Sequence, residues 1–282
     1  MAALPIRLIV NADDYGYFPC VSKGILKAAA LGTVTATGIL VNGPDLEAQI
    51  GWLAGHERLD LGVHLNLTSR KPLTAAMAEK LERWGGSFPG VFAMTGEILS
   101  GRIGLDRIAA EWRAQIETAQ GFGLSLRFLN SHEHNHMLPP LFALALQLAE
   151  ECHIPHVRLT RPEWMPPFGL ASVARGLLLQ AMKLVNARRS GRGIPGFIGL
   201  SRSGKLDLAY LKQRFATLKP GQVYELMCHP GHFDANEVTD ARLLAYHAWE
   251  AELALLTEPE LNGLFEEYAI QLVNYRALTG NS

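Results

Sequence analysis

Short β-rich apolar runs alternate along this chain with amphipathic helical stretches, and most of the runs stop at polar residues. That alternation is the strongest constraint on the fold. Parallel strands need a crossover long enough to hold a helix, so strands that alternate with helices pair in parallel. The runs are Ile6–Val10, Thr33–Val41, Leu59–Leu67, 126–130, His156–Thr160, Gln222–Cys228 and Ile270–Asn274. Helical periodicity marks 22–31, Asp45–Ala54, 105–121, Pro139–Cys152, Ala171–Arg189, 206–217, Asp240–Leu256 and 260–268. The expected class is α/β, with a parallel sheet closed into a barrel or part of one.

At 282 residues the chain can bury a large core, and 48% hydrophobic with 19% charged residues is an ordinary globular composition. A net charge of −1 gives no reason to expect a nucleic-acid partner. Cys20, Cys152 and Cys228 are odd in number and lack CxxC spacing, which fits a reducing compartment better than a disulfide framework. The apolar N-terminus is broken by Pro5 and Arg7, and no run is long enough to span a membrane. A cytoplasmic protein with one domain over 1–282 is expected. Residues 68–103, rich in glycine and proline with one short helix near 74–84, read as a lid or substrate loop. Residues 161–205 read as an inserted helical segment, and its basic, leucine-rich helix 171–189 could touch an anionic membrane surface or a lipid-linked substrate.

The polar residues at the strand ends carry the chemistry. Asp13-Asp14 ends the first run, and His64 and Asn66 share the polar face of the third. Three of ten histidines, His132, His134 and His136, follow the fourth run within five residues; Arg158 and His229 mark two later ones. Asn, Asp and Gly are also ordinary turn residues, and a lone histidine is often a hydrogen-bonded core group. Several from separate strands at the carboxyl ends of a parallel sheet instead point to an active site. One carboxylate with two imidazoles is a common ligand set for a catalytic divalent metal. Neighbouring strand residues face opposite ways, which favours separate roles for Asp13 and Asp14. Period-two alternation could turn His132, His134 and His136 to one side. Trp164, in the proline-rich loop 161–168, could stack on a sugar ring.

On VNADDYG at 10–16, GTVTATGILVNGP at 32–44, LGVHLNLTSRKPL at 61–73, EWRAQI at 111–116, NSHEHNHM at 130–137 and MCHPG at 227–231, the chain resembles the YdjC-like carbohydrate deacetylases, the chitooligosaccharide and hopanoid-associated group. The resemblance implies a distorted TIM-like (β/α) barrel of the glycoside hydrolase/deacetylase type and metal-dependent removal of an N-acetyl group from an amino sugar. It assigns Asp14, His64 and His132 to one divalent ion (Zn2+ or Mg2+), Asp13 to the general base and His229 to the general acid. Asn66, His134, His136, Arg158 and Trp164 become candidate substrate contacts. A chitooligosaccharide or a lipid-linked acetylglucosamine is the expected substrate, and a homodimer is compatible. One departure stands out: the family usually has Asp before Ser-His, where this chain has Asn130, and Glu133 stands where relatives often carry His or Gln. The alternatives are a metal-dependent glycoside or phosphoester hydrolase with the same ligands, or a non-catalytic sugar-binding protein. The spare carboxylate beside Asp14 argues against the last.

Overall fold

The computed structural model describes residues 4–164, 170–189 and 194–278. Its eight strands are β1 (Ile6–Tyr15), β2 (Ala36–Ile39), β3 (Asp60–Leu65), β4 (Leu126–Ser131), β5 (His156–Val157), β6 (Gly196–Ile198), β7 (Val223–Cys228) and β8 (Ile270–Leu272). They form one parallel sheet in the order β5-β4-β3-β2-β1-β7-β6, with β8 paired to the first residues of β1. Helices α1 (Pro19–Ala30), α2 (Leu46–Gly51), α3 (Ala75–Lys80), α4 (Val91–Leu99), α5 (Leu105–Gly121) and α6 (Pro139–Glu151) belong to the first half. In the second half come α7 (Leu170–Ala187), α8 (Leu208–Phe215), α9 (Ala241–Tyr246), α10 (Trp249–Thr257) and α11 (Pro259–Glu267).

β1 lies at the centre and is buried along almost its whole length, as its apolar opening residues require. It runs past the expected Val10 and carries Asn11, Asp13 and Asp14 into the interior. β2 and β5 are shorter than expected, and β6 was hidden in sequence because three residues give too little pattern to read. The helix expected over 240–256 breaks at His247 into α9 and α10.

The sheet is an incomplete barrel whose ends, β5 and β6, do not pair with each other. Its curvature follows from one side chain. Four strand spacings separate β5 from β1, about 19 Å on a flat sheet at roughly 4.8 Å each. Yet Arg158, one residue past β5, places Nη1 2.6 Å from Asp13 Oδ2 on β1 and Nε 2.6 Å from Glu225 Oε1 on β7. An arginine side chain cannot cross a flat sheet of that width, so the strands must curl around it. α7 connects the two edge strands and packs against α6 and the 132–137 turn. No described helix is long and apolar enough to cross a membrane.

The excursion at 68–103 holds α3, a 3-10 turn at Glu82–Trp84 and α4, which sequence periodicity did not reveal. Met77, Leu81, Phe88, Met94 and Ile103 sink into the main core. Its entry is held by the buried Glu111 of α5, whose carboxylate accepts bonds from Leu73 N, Thr74 N and Thr74 Oγ1 at 2.8–2.9 Å. Gln115, one turn on, bonds the backbone of Asn66 in both directions. α4 reaches the 132–137 turn, so the excursion forms one wall over the carboxyl end of the sheet. Glu111→Ala would leave four donors without this acceptor: Leu73 N, Thr74 N, Thr74 Oγ1 and Gln115 Nε2. It should cost about 2–4 kcal/mol, read as a lower urea midpoint, and expose 70–103 to limited proteolysis; an unchanged midpoint would contradict this anchoring.

Candidate active site

Asp13 and Asp14 do not alternate as a regular strand would. The register of β1 against β2 pairs Ala12 with Thr37 and Tyr15 with Ile39, so both aspartates stand opposite Gly38 alone. This is a β-bulge, and Asp14 takes φ +73°, the left-handed region that Asp tolerates better than most residues. The bulge turns both carboxylates toward the ring of His64 on β3. Asp14 Oδ1 lies 3.2 Å from Nε2, and Asp13 Oδ1 lies 4.0 Å from Nδ1. The expectation that alternation alone separates the two aspartates is corrected; different partners separate them.

Asp14 Oδ1 also lies 2.9 Å from His132 Nδ1. Donor atoms of Asp14, His64 and His132 fall within 4.8 Å of one another, and all three residues are buried. His64 Nδ1 sits 2.8 Å from Asn130 Oδ1, an oxygen that can only accept. The Nδ1 proton therefore points to Asn130, which leaves the Nε2 lone pair facing Asp14. A buried carboxylate with two converging imidazoles, one locked in its ligating tautomer, suits a divalent ion. Burial would raise the Asp14 pKa, but the charge and hydrogen bond of His132, with the neighbouring His64, outweigh it and hold the carboxyl well below its usual range. Burial would lower His132, but Asp14 outweighs it and raises that imidazole.

Asp13 is held by a different set. Arg158 grips both its oxygens, Nη1 to Oδ2 at 2.6 Å and Nη2 to Oδ1 at 2.8 Å. Asn11 Nδ2 and Asn130 Nδ2 donate to Oδ1 at 2.6 and 2.9 Å. Burial alone would raise its pKa, but Arg158, with His64 and His229, holds the carboxyl far below the ordinary value. Glu225 anchors the far side of the guanidinium; its own carboxyl is pushed up by burial, against the pull of Arg158. Asn130 does what an aspartate could not: it accepts from His64 and donates to Asp13 with the two ends of one amide. A carboxylate there would stand against Asp13 with no proton between them.

His229 leaves β7 buried, with its backbone N–H 2.6 Å from Glu252 Oε2 and its Nδ1 unpartnered among the described residues. The turn behind it lies so close to α1 that a methyl group at Gly24 would come within 2.4 Å of Gly231 Cα. His247, at the α9–α10 break, puts its ring 5.0 Å from that of His229 and stacks on Trp249 at 4.8 Å. Tyr17 meets the His132 ring edge-on at 5.1 Å and carries the Arg70 guanidinium over its face.

Three expected substrate contacts are committed elsewhere. Arg158 is spent on Asp13 and Glu225. The Asn66 side chain bonds Asn42 and the Thr68–Ser69 backbone, pinning the loop that starts the excursion. His136 is buried between Ser131 Oγ at 2.6 Å and the Arg158 carbonyl at 2.9 Å, where it supports the arginine's backbone. The cluster does not alternate, because Glu133 and His134 take positive φ in a 3-10 turn over His132–Met137. Half-buried His134 bonds Thr160 Oγ1 at 3.2 Å. Trp164 packs over Gly176 of α7 and is 48% exposed; Met165–Phe168 of its loop lie outside the described residues. Glu225, Asn11 and His247 escaped the sequence reading. A single carboxylate inside the apolar run QVYELMC was the available signal for Glu225.

Residues 7–267 match the family model described as YdjC-like protein. A carbohydrate deacetylase of Geobacillus stearothermophilus is 32% identical over 279 residues, covering 97% of this chain and 98% of that protein. A chitooligosaccharide deacetylase of Yersinia pestis (strain Pestoides F) is 29% identical over 269 residues, with 95% and 97% covered. Among solved structures, a protein of Enterococcus faecalis V583 named for cellobiose-phosphate cleavage shares 25% identity and a TM-score of 0.74, with 97% and 99% of the two chains covered.

Two outcomes follow from this geometry. Asn130→Leu removes both the acceptor for His64 and a donor to Asp13, and should weaken zinc binding about 10- to 100-fold in a calorimetric titration. Equal affinity would contradict the tautomer lock. Burial, with Arg158 adding to it, pushes His136 from 6.5 down to about 3, although its bond to the Arg158 carbonyl acts the other way. The unfolded chain thus takes up a proton that the native chain refuses, and stability drops as pH falls from about 6.5 toward 3. That loss approaches about 1.4 kcal/mol per pH unit for this one group. His136→Gln should flatten the fall of the metal-free urea midpoint between pH 7 and 5; a parallel fall would overturn the assignment.

Proposed function

The chain belongs to the YdjC-like family, and on that premise we propose that it is a metal-dependent hydrolase removing the N-acetyl group from an N-acetylated amino sugar. One observation carries the reading: the two adjacent carboxylates have unlike partners, Asp14 between two imidazoles and Asp13 in the grip of an arginine. Binding alone needs no such second carboxylate.

Asp14, His64 and His132 would hold the ion, with zinc favoured by the two imidazoles and magnesium second because it prefers oxygen. When bound there, a divalent ion would supply an electrophile for the acetyl carbonyl and would lower the pKa of a water from about 15.7 toward roughly 7. Asp13 takes the proton of the attacking water. The Arg158 clamp keeps Asp13 ionised at every working pH and fixes its direction, at the expense of basicity. The clamp makes Asp13 a fixed, weakly basic acceptor next to the Asp14, His64 and His132 group. His229 gives a proton to the departing amine nitrogen. Free acetate and the free amino sugar are the products.

The relatives named carbohydrate and chitooligosaccharide deacetylase support a chitooligosaccharide-like substrate, and a lipid-linked acetylglucosamine fits the same chemistry. The free thiols of Cys20, Cys152 and Cys228 fit the cytoplasm. Acetate release from N-acetylated oligosaccharides by zinc-reconstituted protein tests the reading. His64→Ala and His132→Ala should each lose the bound metal and at least about 10³-fold in turnover. Full activity in either variant would sink the ligand assignment. Shortened sugar or free phosphate without acetate would favour the glycosidase or phosphoesterase alternative.

A further inference from the structure

We propose that α7 is a docking face for an anionic phospholipid surface. Leu177, Leu178, Leu184 and Val185 are 59%, 60%, 55% and 43% exposed. At 3.6 residues per turn they share one side of the helix with exposed Ala181. The opposite side is already used. Buried Leu179 and Asn186 face inward, Met182 packs on the core of Met137, Phe142 and Leu159, and Asn186 Nδ2 bonds the Met137 carbonyl at 2.8 Å. The outward leucines are therefore surplus to the fold. Isolated exposed leucines are ordinary, but a continuous stripe of this kind marks an interaction surface.

Charge identifies the occupant. No aspartate or glutamate lies between Glu163 and Asp207, whereas seven arginines and lysines do, in a chain of net charge −1. Exposed Arg188 and Arg189 follow the helix, in the turn just past Ala187. An apolar stripe and a surrounding segment with cationic residues and no carboxylate of its own are what an interfacial helix needs. A second copy of this chain would bring the same cations against each other, which disfavours self-association through this face. The proposal does not depend on the deacetylation reading, because it concerns a surface and is tested without substrate.

The test is co-sedimentation of the full chain with phosphatidylglycerol–phosphatidylcholine vesicles and with pure phosphatidylcholine vesicles, at low and high salt. The protein should pellet with the anionic vesicles at low salt and stay in solution otherwise. L177S/L184S should weaken that binding at least about tenfold, and R188E should do so without touching the leucines. Indifference to anionic vesicles, or equal binding by L177S/L184S, would overturn the proposal. A dimer by light scattering that L177S/L184S turns into a monomer would overturn it in favour of a second copy. Should L177S/L184S misfold, as judged by near-UV circular dichroism, the lipid-charge dependence of the natural chain and the R188E result still decide it.

Discussion

The chain of buried charges Asp13–Arg158–Glu225 is the interaction on which the rest depends. It joins the central strand, the residue after one edge strand and β7 through a single guanidinium. Isolated, each of these charges would be very costly to bury, and removing one partner of such a set costs about 3–5 kcal/mol. The charges persist because every strong donor is matched: the arginine fork meets one carboxylate with two nitrogens and another with its third. That geometry requires a curled sheet, so the same contact that orients the candidate base also sets the curvature of the half-barrel. His136 supports it from beneath, through the Arg158 carbonyl.

Around that clamp the polar side chains work as one network. Asn130 ties Asp13 to His64, and His64 ties Asn130 to Asp14. A disturbance at any member reaches both the candidate metal group and the candidate base. An amide at position 130 bonds differently from a carboxylate, because it brings a donor as well as an acceptor. The left-handed Asp14 is the strained element of the set. Strain of about 1–3 kcal/mol is retained where the surroundings over-determine a residue, and here two imidazoles fix its carboxylate.

The strand–helix alternation was readable because period two and period 3.6 are local properties of the chain. The residues that converge were readable too: Asp13, Asp14, His64, His132 and His229 each stand at the carboxyl end of a run that can be recognised alone. Roles decided by distant partners were not readable. Arg158 looks the same in sequence whether it faces a substrate or a carboxylate 145 residues away. Asn66 looks like a ligand-facing polar residue until the Thr68–Ser69 loop closes on it. The leucines of α7 follow helical periodicity equally well inward or outward, and only the packing of α6 and the 132–137 turn against the other side leaves them exposed.

The amino-acid sequence by itself determined the parallel α/β class, the end of the sheet that carries the chemistry and the residue types gathered there. The tertiary structure decided which atoms meet. A one-residue bulge turned two neighbouring aspartates toward one histidine, and the curl of the sheet brought an edge arginine to its centre. The reason is physical: periodicity is written in neighbours, whereas a buried charge takes its meaning from groups that only folding brings within 3 Å.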